Sequence, residues 1–171
     1  MVKVVIVNGK PGCGKTTFEQ MCQEHCMKNT VVHIISSVDY VKECARKIGW
    51  DGKKDFWGRR FLSDLKNILT LYDDSPYLKV VHEINRYKND SKLHIFLVDV
   101  RESMEIGRYV DDFKATTILI RRPESEEQKV SNFSDYLVED YVYDYVIENC
   151  GNLEQLRMSA ETMMERFRKG E

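Results

Sequence analysis

No stretch of the sequence approaches the roughly 20 consecutive apolar residues that span a bilayer, so no membrane partner is expected. No tract is rich in proline, glycine or serine, and no segment repeats, which leaves no sign of a linker or a solenoid. Charge of one sign is also lacking: 26 Lys and Arg stand against 28 Asp and Glu, a net charge of −2. Without a global basic field a nucleic-acid partner is not expected, and any anion site must be built locally. The cysteines, at 13, 22, 26, 44 and 150, are odd in number and follow no paired pattern. A disulfide framework is therefore not expected, and a cytoplasmic location fits. Cys22, His25 and Cys26 share one short stretch, but zinc sites take four well-spaced ligands. Residues 22 and 26, one helical turn apart, read instead as core-facing. Residues 1–8 carry a single lysine and run straight into glycines, which reads as a first strand rather than a signal peptide.

What is present fits one compact domain: 171 residues, 42% apolar and 32% charged. Val2–Val7 is a β-branched run and predicts a buried strand. A helix is expected over Lys15–Met27, a strand over Thr30–Ile35, a helix over Tyr40–Lys47 and a loop over Trp50–Gly58. Phe61, Leu62, Leu65, Ile68, Leu69 and Tyr72 recur at helical spacing. Ser75-Pro76 reads as a cap followed by proline in the first turn, opening a helix to about Tyr87. Leu93–Val98 is the most apolar run and predicts a central strand. Glu102–Phe113 should be a helix, Thr116–Ile120 a strand, Ser134–Asp140 a short helix and Asp144–Ile147 a last strand. Asn152 and Gln155 resemble a capping pair. They open a terminal helix whose inner face is Leu153, Leu156, Ala160, Met163, Met164 and Phe167. Strands alternating with helices imply a three-layer α/β fold, a parallel sheet covered on both faces. Ligands in such folds sit beyond the carboxyl ends of the strands.

Gly9-Lys10-Pro11-Gly12-Cys13-Gly14-Lys15-Thr16 matches G-x-x-x-x-G-K-[ST] in full, with a strand before it and a helix after. Glycines let successive N–H groups turn inward toward phosphate oxygens, and the helix start adds positive potential. Lys15 suits the β- and γ-phosphates of ATP, the Thr16 hydroxyl suits Mg²⁺, and Thr17 a further phosphate oxygen. Cys13 stands where the motif imposes no residue type and contributes backbone. Asp99 follows the Leu93–Val98 strand and can hold the metal's water shell opposite Thr16.

Phosphoryl transfer needs further cations, and guanidinium suits phosphate well. Arg101, Arg121 and Arg122 follow strand ends, and Arg59 and Arg60 start a helix. Asp39 can contact the acceptor or cap a helix, and Lys42, one turn on, can touch acceptor phosphate. An N-K-x-D guanine motif is absent, which counts against a GTPase. A kinase of another small metabolite and a regulatory ATPase remain alternatives.

The glycine loop resembles that of nucleoside monophosphate kinases. More closely, the chain resembles the deoxynucleoside monophosphate kinases of phages and bacteria. The matching pieces are Ser36–Lys42, Lys54-Asp55 with Gly58-Arg59-Arg60, Val98–Arg101, Ile120–Pro123, and Tyr143–Asn149 before Gly151-Asn152-Leu153. The resemblance implies a five-stranded parallel sheet of the P-loop NTPase type. It also implies a mobile acceptor-binding region over about 40–89 and a short lid over about 121–132. In it Asp39, Arg60 and Arg101 would face the acceptor nucleotide, while Arg121 and Arg122 would belong to the lid over ATP. A single kinase domain acting as a monomer or homodimer on a nucleotide is the expectation.

Overall fold

The computed structural model describes residues 1–25, 28–123 and 137–170. These residues form two compact units, Met1–Ile34 with Asn89–Glu171, and Ile35–Lys88.

The first unit is built on a five-stranded parallel sheet in the order β2-β3-β1-β4-β5. The strands are β1 (Val2–Asn8), β2 (Thr30–Ser36), β3 (Leu93–Asp99), β4 (Thr116–Arg121) and β5 (Tyr145–Glu148). Its described helices are α1 (Lys15–Glu24), α5 (Ser103–Phe113) and α6 (Leu153–Lys169), with a 3₁₀ turn at Leu137–Glu139. β1 lies at the centre, with Val7 beside Asp99 on β3 and Asn8 beside Leu119 on β4. From β1 the chain passes over β3 to β2, returns to β3, and then crosses β1 to reach β4 on the other side. A crevice at such a switch of direction is where ligands bind, beyond the strands' carboxyl ends.

Strands buried on both faces need continuous apolar runs rather than alternation. Val4 to Val7 and Ile95 to Val98 are all nearly or fully buried. One face presents Val5, Val7, Ile95, Leu97, Ile118 and Ile120 to Phe18 and Cys22 of α1 and to Leu156, Ala160, Met164 and Phe167 of α6. Cys22 thus faces the core as expected, while Cys26 lies outside the described residues. Asn152 Oδ1 accepts from the Gln155 amide at 3.1 Å, so the capping pair forms. Leu153 departs from its expected place, being 67% exposed, and the buried face of α6 starts at Leu156.

The second unit holds α2 (Ser37–Lys47), α3 (Phe56–Asp73) and α4 (Ser75–Asn85). Val41, Ala45 and Leu62 form its small core, with Val38, Trp50, Leu65 and Leu69 packed around it. Helix starts differ from the sequence expectation where caps lie earlier in the chain. α2 begins at Ser37, not Tyr40, because Ser36 Oγ accepts from the Val38 amide and Asp39 Oδ2 accepts from the Ser36 amide. α3 begins at Phe56, inside the expected loop, because Asp55 Oδ1 accepts from the Gly58 amide at 2.8 Å. Asp74 holds the N-cap position of α4 without a side-chain hydrogen bond, which puts Ser75 and Pro76 inside its first turn. Leu93–Asp99 is an interior strand, and β1 takes the centre. The lid expected over 121–132 falls largely on residues 124–136, outside those described. Of the short helix expected at Ser134–Asp140, the turn Leu137–Glu139 is described. No described helix is long and apolar enough to cross a membrane.

Candidate nucleotide site

At the carboxyl end of β1 the chain reverses through Gly9–Gly14 and enters α1. Glycine is required at two of these positions by what lies around them. A Cβ on Gly9 would collide with the Ile120 carbonyl and stand 2.6 Å from Cys13 Sγ. Gly14, at φ +101°, would bring a Cβ within 2.5 Å of Asn149 Nδ2. That same Nδ2 donates to the Cys13 carbonyl at 2.9 Å, fixing the loop to the residue that follows β5. The loop is closed from within by the Cys13 amide donating to the Lys10 carbonyl at 3.2 Å. Gly14 caps α1 without a side chain, and no acidic residue stands in the first turn. No side chain of the first turn takes up the helix N–H donors there, an arrangement that can serve an anion.

Lys15 is only 9% exposed and curls back over the loop. Its Nζ donates to the Gly9 carbonyl at 3.2 Å and lies 3.6 Å from Asp99 Oδ1. Asp99 ends β3, so the β1–β3 register delivers its carboxylate beside the loop entrance. Thr16 is exposed on the first turn of α1 and Thr17 is half-buried. Cys13 is fully buried. Burial pushes its thiol up, against the lowering influence of Lys15.

Arg121 ends β4 and is held by carboxylates: Nη1 lies 3.2 Å from Glu148 and Nη2 3.6 Å from Glu139. Glu139 also accepts Lys10 Nζ at 2.8 Å. The Lys10 ammonium holds the Glu139 carboxyl below its ordinary value. A small, shallow crevice opens here, lined by Lys10, Cys13, Leu119, Ile120, Arg121, Arg122, Val138 and Glu139. Arg101 is half-buried, and its carbonyl accepts from Asn8 Nδ2 at 3.3 Å. The first unit thus brings together the glycine loop, Lys15, Asp99, Arg101, Arg121 and Arg122 at the carboxyl ends of β1, β3 and β4.

The other expected site residues lie in the second unit. Asp39 Oδ1 pairs with Lys42 Nζ at 2.8 Å while its other oxygen caps α2. Arg59 Nε donates to the Lys54 carbonyl at 2.8 Å, and Arg60 pairs with Asp64 at 2.9 Å.

No protein-family model matches the chain. A UPF0200 protein of Saccharolobus islandicus is 27% identical over 185 residues, covering 98% of this chain and 95% of the relative. A sugar kinase from Janibacter superposes with a TM-score of 0.55 at 12% identity, covering 96% of this chain and 95% of the other. A thymidylate kinase from Ehrlichia chaffeensis gives a TM-score of 0.50 at 14% identity, covering 96% and 98%. The fold is the P-loop NTPase fold.

Within that fold, sequence reasoning missed the side chains that brace the loop. Asn8, fully buried at the end of β1, carries no motif of its own, and Tyr143 and Asn149 lie in a stretch that matched as a whole without a role for either side chain. The available signal was a polar residue closing an apolar strand: Asn8 after Val2–Val7, and Asn149 after Tyr145–Glu148. Glu139 and Glu148 were missed because charge pairs across a site leave no spacing pattern in the chain.

Proposed function

We propose that the chain transfers the γ-phosphoryl group of ATP to a nucleoside monophosphate. The observation that carries this reading is Lys15 curled over the glycine loop, beside the Asp99 carboxylate at the neighbouring strand end. In this reading the loop amides and the start of α1 bind the β- and γ-phosphates, and Lys15 exchanges the Gly9 carbonyl for phosphate oxygen. Thr16 and Asp99 offer hard oxygen donors on facing elements, which fits Mg²⁺ and would hold it there. Bound Mg²⁺ supplies charge neutralisation on the β- and γ-phosphates. Arg101, Arg121 and Arg122 stabilise the migrating phosphoryl, and Arg121 must first exchange Glu148 and Glu139 for phosphate oxygens. An acceptor phosphate oxygen bonds to the γ-phosphorus as its bond to the bridging oxygen breaks, and ADP leaves. The acceptor is already anionic, so no strong general base is required. Asp39, Lys42, Arg59 and Arg60 bind the acceptor, as the resemblance to deoxynucleoside monophosphate kinases implies. The thymidylate kinase among the structural neighbours acts on such an acceptor, by its name.

The sugar kinase likeness favours a second reading, a kinase with a hydroxyl acceptor, in which Asp39 serves as base. ADP release from ATP and Mg²⁺, measured alone and with each common ribo- and deoxyribonucleoside monophosphate, separates the two. Strong stimulation by one or a few nucleotides supports the proposal. Steady hydrolysis indifferent to every nucleotide would sink it in favour of a regulatory ATPase, and silence throughout favours the hydroxyl acceptor.

A further inference from the structure

Behind the glycine loop lies a buried polar junction that no part of the motif accounts for. Asn8 is fully buried, and both N–H groups and the carbonyl oxygen of its side chain have partners. Oδ1 accepts from the Gly9 amide at 2.8 Å. Nδ2 donates to the Arg101 carbonyl at 3.3 Å and to Tyr143 Oη at 2.7 Å. Tyr143 Oη in turn donates to the Val138 carbonyl at 2.7 Å. The orientation is unambiguous: Gly9 offers only an N–H and the two carbonyls only accept, so the amide has one arrangement that satisfies all four groups. Four separate stretches therefore meet at two side chains. They are the first peptide of the phosphate loop, the segment carrying Asp99 and Arg101, the turn carrying Glu139, and the residue that leads into β5.

We propose that Tyr143 is a positioning residue for the phosphate loop, acting through Asn8 on the Gly9 peptide and the Arg101 backbone. This rests on the nucleotide site proposed above. Without the phenol oxygen, one Asn8 N–H is buried with no acceptor. The amide then keeps two of its three anchors, and its hold on the Gly9 N–H and the Arg101 carbonyl loosens. Gly9 is where the loop approaches Ile120 most closely and where Lys15 anchors its ammonium, so a shift there is felt at the phosphates. Burial pushes the Tyr143 phenol up to about 12, which keeps it a donor to Val138 at any ordinary pH.

The test compares Tyr143→Phe with Thr117→Val in the full chain. Thr117 Oγ1 holds Asp144, the next residue along, through contacts at 2.9 Å, and its strand position pairs with Ile6 rather than with the loop. Both variants remove one hydroxyl that anchors the 143–144 stretch, Tyr143 from within it and Thr117 from β4, so a merely structural role makes them equivalent. Affinity for MgADP and for MgATP is measured by calorimetry beside the melting temperature. The expected result is a rise in Kd of about tenfold in Tyr143→Phe, as for one displaced binding group. Thr117→Val should lose similar melting temperature with affinity unchanged. Tyr143→Phe binding nucleotide as tightly as wild type would overturn the inference and leave the nucleotide site standing. Wild type that binds neither nucleotide would overturn both. Should Tyr143→Phe fail to fold, Asn8→Ser, which cannot reach both Arg101 and Tyr143, must show the same loss of affinity for the inference to survive.

Discussion

Lys15 is the residue whose surroundings define the site most sharply. Its ammonium is nearly buried and is held by one carbonyl and one carboxylate, which is an arrangement ready to be exchanged for phosphate oxygens. Replacing it by alanine removes the cation beside Asp99 Oδ1, an atom that is itself buried. Lys15→Ala should therefore cost about 1–3 kcal/mol of unfolding free energy, the desolvation of a buried polar group that loses its partner, and leave the fold in place. ATP turnover should fall below detection; turnover near wild type would remove Lys15 from the mechanism. Glycine positions allow a finer test. Gly14 and Gly49 have nearly the same left-handed φ, +101° and +104°, but only Gly14 has atoms in the way of a Cβ. Gly49→Ala should cost about 1 kcal/mol for the backbone alone. Gly14→Ala should cost about 1–2 kcal/mol more, because Asn149 must give up the Cys13 carbonyl. Urea denaturation of the two variants measures the difference, and equal losses would show that Asn149 yields freely.

Among the elements, α3 shows what periodicity can and cannot convey. Its apolar residues form two stripes, and the sequence marks both without saying which one is covered. Leu62, Leu65 and Leu69 recur at spacings of three and four and turn inward with Gly58, whereas Trp57, Phe61, Ile68 and Tyr72 form a neighbouring stripe that stays outside. Ile68 is 61% exposed against 8% for Leu62. Leu62→Ala should then cost about 2–4 kcal/mol, while Ile68→Ala should cost less than about 1 kcal/mol. Comparable losses in chemical denaturation would show that the outer stripe is covered in solution. Ser36 and Asp39 are a serine and an acid three apart, the capping signature, but Asp39 taken alone reads equally as acceptor contact or as a cap, which puts the expected helix start after it. Asp55 likewise begins α3 from inside a stretch that looks like loop because Gly58 interrupts it.

For the whole molecule, the alternation of strands and helices made a parallel sheet legible, and the full G-x-x-x-x-G-K-T motif placed the phosphate site at its first turn. Strand order is different in kind. Nothing local in Val2–Asn8 says that it lies between β3 and β4, because order is decided by which apolar faces pack together after the chain collapses. The loop's braces were hidden for the same reason: Asn8 meets Tyr143 across 135 positions, and Cys13 meets Asn149 across 136. Stability against pH is likewise a property of the assembled core. Cys22 is fully buried between α1 and the sheet, and burial with the nearby Glu19 pushes its thiol up from 9.0 to about 12. Tyr143 is raised from 10.0 to about 12 by burial. The unfolded chain releases these protons first, so the folded state binds more protons than the unfolded one across that interval, and stability falls as pH rises. It is fully present below pH 9 and lost progressively toward pH 12. Glu139 works the other way: its lowered carboxyl contributes above the ordinary value of 4.5, and that contribution is lost as pH falls through the lowered one. Thermal melts of wild type and Cys22→Val between about pH 8 and pH 11, where a free thiol ionises while the buried one keeps its proton, isolate the cysteine. Valine has no proton to lose, so the variant should keep more of its pH 8 melting temperature at the alkaline end, whatever the substitution costs at neutral pH. Parallel slopes in the two proteins would assign the alkaline loss to Tyr143 and other groups rather than to Cys22.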